Sequence, residues 1–441
     1  MTRPWGTMRV PGVLLASMLC IAALCSALTP SAASADTSAT SQASQLAEQE
    51  AISLELAKRD LSLQAKAGGI VEQLEGALGG AYAGVSFDLK EGRFHIGVTD
   101  STSLAAAETV AANDNIAEAT TYDHDTYTWH ELQEAEATWN AKLATLESKQ
   151  QAFVGADART NSVDVLLPSN LSSSEVSNIE AQANTSSVAA TVAPVAARRL
   201  EITAGEGGGI CQFPYCPQPH RGGTRIESEP DEEGYYHWCT MGFVVLIPAK
   251  SNAIGILTAG HCMEPKGFPW TSGTWKTSEC DYGKAIRHTL EEGENKGDAG
   301  LLWDKSGCII EPYISAWGKN EDLPIVGTRE SYEGMYLCHE GANLGSQCGA
   351  ATYHDVTTTI NYEDVGRGKL KISHTDQMCA HGGKGDSGGP WAVWEAEPPT
   401  EAWGTDIHLG ANELTCPEGG ISIGFELPHA LSLMEVKLDI Y

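Results

Sequence analysis

The alternation of hydrophobic and polar residues divides the chain into a helix-rich first half and a strand-rich second half. Between Ser44 and Leu78, Leu and Ile recur with helical spacing among Glu and Lys residues, which predicts amphipathic helix. Two alternating runs, Tyr82–Asp88 and Phe94–Thr99, then flank a Gly-containing turn and predict a β-hairpin. A second helix is predicted from Thr128 to Gln151, and a strand at Val163–Leu167. These elements are typical of a small α+β domain.

From about Cys211 the pattern changes to short β-rich runs separated by Gly-rich and polar turns. Helical spacing returns only near Leu427–Leu438. Many short strands without intervening helices predict a barrel or a sandwich. The clearest of these runs are Gly242–Pro248, Ala253–Thr258, Ala299–Trp303 and Ile421–Leu427.

The stretch between the two halves, Ser186–Gly209, is low in complexity and rich in Ala and Val. It ends in three consecutive glycines and contains the dibasic pair Arg198-Arg199. Such a segment is predicted to be an exposed linker, at which proteolysis separates two domains.

The first 35 residues have the organisation of a signal peptide. Arg3 and Arg9 form a basic start, an apolar run extends from Val13 to Leu28, and Ala33-Ser34-Ala35 provides a small-residue cleavage site. A membrane anchor is the alternative, but the apolar run is shorter than the roughly 18 residues that a membrane-spanning helix needs. The sequence therefore predicts secretion, and a mature protein that does not remain in the membrane.

The charge of the chain limits its partners. A formal net charge of −30 argues against nucleic acid or an anionic membrane, because phosphate binding requires clustered Lys and Arg. The acidic loops Glu227–Glu233 and Glu291–Glu294 lack the ligand spacing of a calcium loop, so solvated charge is the better interpretation. No metal and no cofactor are predicted.

The cysteines agree with export. Of the twelve, the ten beyond the first 35 residues all lie between Cys211 and Cys416. An even set confined to one half of the chain predicts disulfides in one domain, formed in an oxidising compartment. Cys211, Cys216 and His220 suggest a zinc site as the alternative, but no fourth ligand stands beside them at metal spacing.

The sharpest motif is Gly-Asp-Ser-Gly-Gly-Pro at residues 385–390. A Ser hydroxyl is a weak nucleophile that needs a neighbouring base, and the glycines allow a tight turn that brings amide N–H groups close to a reacting carbonyl. The N–H groups of Gly385 and Ser387 are the predicted oxyanion hole, in which one donor contributes about 3 kcal/mol. A Gly-rich turn with a capping Ser is the alternative for this motif taken alone.

Two further segments supply the partners that such a nucleophile needs. His261 follows an apolar strand in Thr-Ala-Gly-His-Cys, and Asp298 precedes another in Gly-Asp-Ala-Gly-Leu-Leu. A carboxylate that accepts the proton on the far ring nitrogen fixes the tautomer and orientation of the base. Each residue alone would be a core His or a turn Asp, but the order His261, Asp298, Ser387 favours a catalytic triad.

The segments around these three residues resemble the signature regions of chymotrypsin-like serine proteases, in the chain order of that family, over roughly residues 235–430. The resemblance implies an all-β fold of two six-stranded antiparallel β-barrels with a C-terminal helix, the triad lying between the barrels. It also implies the bridges Cys239–Cys262 and Cys379–Cys416. The remaining cysteines are paired with their neighbours by default, as Cys280–Cys308, Cys338–Cys348 and Cys211–Cys216.

The first half resembles the pro-regions of secreted bacterial enzymes of the alpha-lytic protease and streptogrisin type, through residues 84–88 and 92–100. The chain is therefore interpreted as signal peptide (1–35), α+β pro-region (36–199) and protease domain (200–441). The pro-region is expected to assist folding and to inhibit until it is removed. No Ile-Val-Gly-Gly sequence follows Arg199, so Asp386 needs a partner other than a new N-terminus.

Specificity is predicted from two loops. His381 occupies the position at which trypsin-like enzymes carry an Asp, so cleavage after basic residues is not expected. The pocket wall Ile407–Ala411, with His408 and Gly410, resembles the Ile-His-Trp-Gly-Gly segment of glutamyl endopeptidases. We hypothesise that His408 recognises a Glu carboxylate. The alternative is an apolar or mixed pocket in which His408 is only buried in a strand.

The predicted function is that of a secreted, monomeric serine endopeptidase made as a zymogen, whose partners are protein or peptide substrates and its own pro-region. An α/β-hydrolase esterase also fits a Gly-x-Ser-x-Gly motif, but that fold needs its His after the Ser and a βαβ alternation that is missing. A non-catalytic secreted binding protein on a protease scaffold is the alternative from another class, although no catalytic residue is lost.

Overall fold

The predicted helical segment of the first half is three helices in the computed structural model, because the chain turns twice within it. Ser41 and Ser53 cap the first two, their hydroxyls accepting the N–H of Ser44 and Leu56. Gly69 adopts φ of +73° and begins the third. The helices are α1 (Gln42–Gln49), α2 (Leu54–Lys66) and α3 (Ile70–Leu78).

The structure describes residues 41–143, 153–167, 171–194, 213–230, 234, 236–264, 268–274, 280–292, 297–317, 321–395, 400–416 and 419–441. The predicted signal peptide and the dibasic pair lie outside these residues, and so does Cys211. The boundaries proposed for the signal peptide, the pro-region and the protease domain therefore remain predictions. No helix in the described part of the chain is both long and apolar enough to cross a membrane.

Two small sheets complete the first half. The predicted hairpin is present, and in each sheet an antiparallel pair is joined by a third, parallel strand. The predicted helix from Thr128 is confirmed as far as Leu143, where the described segment ends. Two helices, at Leu104–Asn113 and Ser173–Ala183, and three strands, at Thr120–His124, Phe153–Asp157 and Ala190–Pro194, were not predicted from the sequence. The elements are β1 (Tyr82–Asp88), β2 (Arg93–Val98), α4 (Leu104–Asn113), β3 (Thr120–His124), α5 (Trp129–Leu143), β4 (Phe153–Asp157), β5 (Ser162–Leu167), α6 (Ser173–Ala183) and β6 (Ala190–Pro194).

The second half is built from two β-sheets, as the sequence predicted. The first sheet has the strand order β23-β10-β11-β14-β13-β12-β8-β9, and all its pairs are antiparallel. In its central strands β10, β11 and β14, buried residues follow one another rather than alternate, so these strands lie within the core. Its strands are β8 (Arg225–Ser228), β9 (Trp238–Thr240), β10 (Phe243–Ile247), β11 (Ala253–Ala259), β12 (Pro269–Ser272), β13 (Asp281–His288), β14 (Ala299–Trp303) and β23 (Lys437–Leu438).

The second sheet contains a closed ring of six strands. The order β20-β17-β18-β19-β22-β21 returns to its start because β20 also pairs with β21, and β16, β15 and β7 extend it beyond β21. The two-barrel prediction is thus confirmed, with extra strands at the margins of each sheet. The strands are β7 (His220–Gly222), β15 (Ile310–Ala316), β16 (Glu321–Thr328), β17 (Tyr336–Gly341), β18 (Gly345–Asn361), β19 (Lys369–Cys379), β20 (Pro390–Glu395), β21 (Glu401–Cys416) and β22 (Gly419–Glu426).

The C-terminal helix is shorter than predicted. Helix α7 covers Leu427–Met434 and ends at Glu435, whose φ of +56° cannot continue a right-handed helix. The chain then extends as β23 and pairs with β10 of the other sheet. The C-terminal segment therefore joins the two barrels.

Strands β18 and β19 form a long hairpin, which we call the 345–379 hairpin, and the first half of the chain packs against it. Glu136 of α5 accepts the N–H of Thr357 at 2.7 Å, and Tyr353 donates to Asp164 of β5 at 2.9 Å. The side-chain amine of Lys371 donates to the carbonyl of Asn140, which lies in α5. The predicted pro-region is thus bound to the second barrel.

Four disulfides are present among the described residues. Two of them are the bridges implied by the resemblance, and the other two are the pairs assigned by proximity in the sequence. They join Cys239 to Cys262, Cys379 to Cys416, Cys280 to Cys308 and Cys338 to Cys348.

Candidate active site

His261 and Asp298 are brought together by the pairing of two strands. Strand β11 ends at Ala259 opposite Ala299 of β14, so the residues that flank this pair lie side by side. The Nδ1 of His261 lies 2.7 Å from Oδ2 of Asp298, and the backbone N–H of His261 donates to Oδ1 at 2.7 Å. The geometry fixes both the position and the orientation of the imidazole.

The carboxyl group of Asp298 is fully buried and is hydrogen-bonded through both oxygens. Tyr362 donates its hydroxyl to Oδ2 of Asp298 at 2.7 Å. Burial alone would raise the pKa of Asp298, but His261 and these hydrogen bonds hold that pKa below its ordinary value. Asp298 is therefore ionised at neutral pH and can stabilise a proton on the imidazole.

Tyr362 lies at the tip of the 345–379 hairpin and was not predicted from the sequence. Its ring is 2% exposed and lies 5.5 Å from that of His261. Arg367 at the same tip forms a hydrogen-bonded ion pair with Glu264, three residues after His261. Two contacts thus anchor the tip to the segment that carries the imidazole.

The loop around Ser387 is a tight turn that needs glycine. Gly385 has φ of +98°, and an added side chain there would overlap the ring of Trp238. The Ser387 hydroxyl donates to the carbonyl of Leu409 at 3.3 Å. Among the described residues, none accepts a hydrogen bond from the N–H of Gly385 or Ser387. These two amides are therefore available to an oxygen from outside the chain.

The Ser387 loop is fixed against the first barrel by Thr240. The N–H of Thr240 donates to the carbonyl of Ser387 and its hydroxyl donates to the carbonyl of Gly385, both at 2.8 Å. Cys262 Sγ lies 3.7 Å from the carbonyl oxygen of Ser387. The residue next to His261 therefore contacts the backbone of Ser387, and the three predicted triad residues lie at the junction of the two barrels.

Asp386 has partners that sequence reasoning could not identify. Its Oδ1 accepts the N–H groups of Asn343 and Leu344, at 2.7 and 3.1 Å, and its Oδ2 accepts that of Gly383 at 2.9 Å. Burial nevertheless raises the pKa of Asp386. Backbone amides thus hold the residue before Ser387, without a new N-terminus.

His408 is fully buried in β21, and its tautomer follows from one hydrogen bond. The indole N–H of Trp391 donates to Nδ1 of His408 at 3.2 Å, so this nitrogen is the acceptor and Nε2 carries the proton. Nε2 has no hydrogen-bond partner among the described residues. Burial, together with the neighbouring His339 and His261, holds the pKa of His408 well below its usual value. The ring is therefore a neutral donor.

The space beside Nε2 of His408 is kept open by glycine. A side chain at Gly382 would lie 2.9 Å from this nitrogen, whereas one at Gly410 would meet no atom within 4 Å. His381, the other predicted pocket residue, is half-buried, and its carbonyl accepts the Nε2–H of His339 at 2.6 Å. His339, which the sequence analysis missed, stacks on His408 with ring centroids 4.5 Å apart. The rings of His339 and His408 therefore stack on each other, and the backbone of His381 is hydrogen-bonded to His339.

Comparison with known proteins finds a match to a family model in the first half of the chain, and several similar proteases. Residues 55–112, which include α3, the first hairpin and most of α2 and α4, match the family described as Alpha-lytic protease pro N-terminal. The chain is 31% identical over 162 residues to Serine protease 1 of Rarobacter faecitabidus. This alignment covers 35% of the chain and 26% of that protein. The chain thus spans about a quarter of the length of that curated relative.

The similar solved structures include bacterial proteases. Protease A of Thermobifida fusca is 20% identical, with a TM-score of 0.36 and coverage of 54% of this chain and 100% of that one. A glutamic acid specific serine protease, which utilizes a novel histidine triad in substrate binding, is 20% identical, with a TM-score of 0.38 and coverage of 50% and 100%. A Nocardiopsis protease is 18% identical, with a TM-score of 0.37 and coverage of 50% and 99%.

Proposed function

We propose that this chain, a member of the alpha-lytic type of chymotrypsin-like serine proteases, is made as an inactive precursor and acts as a secreted, monomeric serine endopeptidase. The observation that carries the activity is the buried, ionised Asp298 on Nδ1 of His261, next to a tight turn at Ser387 whose amides have no acceptor in the described chain. These are the parts that acyl transfer from a peptide requires.

In the proposed reaction, Ser387 Oγ attacks the carbonyl carbon of the scissile peptide bond while its proton passes to Nε2 of His261. The carbonyl oxygen becomes an oxyanion that the N–H groups of Gly385 and Ser387 stabilise. His261 then gives the proton to the leaving amine, which departs and leaves an ester on Ser387. Water, deprotonated by His261, hydrolyses this ester. Asp298 stays ionised throughout and stabilises the imidazolium.

We further propose that the enzyme prefers Glu before the scissile bond. The support is the Nε2–H of His408, a buried donor with no described partner beside an open space. An unpaired buried donor is costly, and a carboxylate is the strongest acceptor that a peptide side chain offers. Because His408 is neutral, recognition would proceed by hydrogen bonding rather than by an ion pair.

The first half of the chain is proposed to be the pro-region, which assists folding and is removed for activity. The support is the family match of residues 55–112 and the packing of α5 and β4 on the 345–379 hairpin. Cleavage is expected between residues 195 and 212. A mature N-terminus far from this segment would contradict the assignment.

The activity is tested by cleavage of a peptide library by the processed protein, with products mapped by mass spectrometry. Ser387→Ala is the inactive comparison, and Ser346→Ala, on β18, is a control for a generic loss of a hydroxyl. We expect cleavage by wild type and by Ser346→Ala only. If the wild type does not cut, although the pro-region is gone and circular dichroism shows an intact fold, the chain is a binding protein on a protease scaffold.

The Glu preference is tested with matched peptides that carry Glu or Gln before the scissile bond. His408→Leu removes the donor, and His429→Leu, at a histidine of α7 that stacks on His374, is the control for loss of an imidazole elsewhere in the second half. We expect the ratio of kcat/KM for Glu over Gln to fall at least about tenfold in His408→Leu, from the loss of one charge-assisted hydrogen bond. An unchanged ratio, or a wild type that prefers apolar residues, would reject the Glu assignment but leave the protease assignment intact.

A further inference from the structure

A second group of buried histidine and carboxylate side chains lies in the closed ring of the second barrel, away from His261. His354 of β18, Asp376 of β19, Glu426 of β22 and Asp406 of β21 lie on four strands that are consecutive in the ring. Asp406 lies directly opposite Glu426 in the antiparallel pair, so both side chains are on the same face of the sheet.

The ligand atoms of three of these side chains converge. His354 Nδ1 lies 3.2 Å from Oδ1 of Asp376 and 3.9 Å from Oε1 of Glu426. All three ligand atoms lie within 4.8 Å of one another. The contact with Asp376 is a hydrogen bond, whereas 3.9 Å is too long for one.

Two of the carboxyl groups have oxygens without a hydrogen-bond partner among the described residues. Glu426 is 9% exposed and its Oε1, the oxygen that faces His354, has no hydrogen-bond partner among the described residues. Asp406 is 0% exposed, and neither of its oxygens has such a partner in the described chain. Buried polar groups are almost always satisfied, and leaving a carboxyl unpaired is costly. Something outside the described chain is therefore expected to bind these oxygens.

We propose that His354, Asp376 and Glu426 bind a zinc ion, with a water molecule in the fourth position. A tetrahedral zinc ion at about 2.0–2.2 Å from each ligand places neighbouring donor atoms about 3.3–3.5 Å apart. The separations of 3.2 and 3.9 Å from Nδ1 of His354 lie on either side of this value, and the third separation, between Asp376 and Glu426, is within 4.8 Å, so side-chain rotations would be needed to close the site. The imidazole nitrogen favours zinc over calcium, which takes oxygen ligands. No metal site was predicted from the sequence, and the zinc site considered there as an alternative involved Cys211, Cys216 and His220.

The first half of the chain covers this site. The Trp129 ring of α5 stacks on His354, with centroids 6.4 Å apart and planes 9° apart. Gln133 of the same helix donates to Asp355, the neighbour of His354. The ion would therefore hold β18, β19 and β22 together directly beneath the α5 contact, and it would act on stability and not on the chemistry at Ser387.

The proposal is tested by zinc binding to the full chain carrying Ser387→Ala, which keeps the precursor uncut. The protein is stripped with EDTA, exchanged into zinc-containing buffer and dialysed, and bound zinc is counted by elemental analysis. We expect one tightly held zinc ion per chain and a higher Tm with zinc than without. The readout is independent of catalysis, so a failure of the proposed protease activity would not affect it.

Two ligand variants and one control define the site. His354→Gln and Glu426→Gln should each weaken zinc binding by at least about 100-fold, more than is usual for loss of an outer-sphere partner. His95→Gln is the control, because His95 also contacts a carboxylate, Asp123 at 3.0 Å, but is half-exposed in the first half of the chain. Using two ligand variants guards against one that fails to fold, which circular dichroism would reveal.

Three outcomes would overturn the proposal. Wild type could retain no zinc after dialysis, the ligand variants could bind zinc as tightly as His95→Gln does, or calcium could raise the Tm while zinc does not.

Discussion

Asp298, beside His261, and Glu136, between α5 and the 345–379 hairpin, are both almost fully buried carboxyl groups, at 0% and 3% exposure. Their pKa values nevertheless shift in opposite directions. The pKa of Asp298 is held below its ordinary value despite burial, whereas burial raises the pKa of Glu136 to about 8. The two regions therefore place the same chemical group in opposite protonation states at neutral pH.

The pKa values of Asp298 and Glu136 differ because different groups contact the two carboxyls. Asp298 faces an imidazole that can carry a positive charge, and it accepts three hydrogen bonds. Glu136 accepts the N–H of Thr357, but the nearby Asp355 opposes its ionisation. A buried carboxylate thus remains charged, and able to act on a reaction, only where a potential cation is placed next to it. Without one it titrates near neutrality and makes its contact sensitive to pH.

The largest expected effect comes from removing the charge of Asp298. Asp298→Asn keeps the shape of the site but presents an amide to His261, which favours the wrong tautomer. We expect kcat to fall by about 10⁴-fold, the usual size for this change in a serine protease triad. Steady-state kinetics on the processed enzyme measure it. Asp281→Asn, which alters an exposed carboxyl group of β13 in the second half of the chain, should leave kcat unchanged. An Asp298→Asn variant with near-normal kcat would rule out the assigned triad.

A smaller effect is expected from Tyr362, the second donor to Asp298. Tyr362→Phe removes one hydrogen bond to a buried carboxylate, so kcat should fall by about tenfold while KM changes little. Without this donor the charge of Asp298 acts more strongly on His261. The acid limb of the kcat/KM profile should therefore move to higher pH.

The shift of the pH profile separates positioning from general destabilisation. Tyr313→Phe, at a tyrosine whose ring meets that of Tyr441 edge to face, serves as the matched control and should change neither kcat nor the profile. A Tyr362→Phe enzyme with the wild-type profile and rate would show that the hydroxyl is only a packing group.

The smallest effect concerns Glu136. Because its pKa is raised on folding, its contribution is fully present below its unfolded pKa near 4.5 and is lost as the pH rises through about 8. The Ser387→Ala precursor should therefore lose part of its unfolding free energy between pH 5 and 8. Glu136→Gln should reduce this loss by about 1–2 kcal/mol in urea titrations. Glu134→Gln, at an exposed residue of the same helix, should show the same change of unfolding free energy with pH as the wild-type sequence. If this change were equal in all three proteins, the assignment would be contradicted.

The sequence was sufficient to predict the residues that meet at the active site but not what surrounds them. His261 and Asp298 are recognisable because each flanks an apolar strand, and strand pairing then places them together. Tyr362 could not be predicted in this way. It lies 64 residues beyond Asp298, and it reaches the carboxylate only because β18 and β19 form an unusually long hairpin.

The partners of Asp386 were unpredictable for another reason. Backbone N–H groups of Asn343, Leu344 and Gly383 hold its carboxylate, and every non-proline residue carries such a group, so residue type gives no signal. In the first half, hydrophobic spacing revealed the first hairpin and most of the helices. It missed α4 and α6, whose buried faces are narrow and contain mostly Ala in one case and only Ile179 in the other.

The length of the 345–379 hairpin carries an evolutionary constraint. Thr357 contacts the first half of the chain, and five residues later the same strand delivers Tyr362 to Asp298. Each residue inserted or deleted between them would displace the hydroxyl by about 3.3 Å, more than a hydrogen bond tolerates, and would turn alternate side chains to the opposite face. Among homologues that keep this tyrosine, we therefore expect substitutions on the outer face of the hairpin but no change in its length.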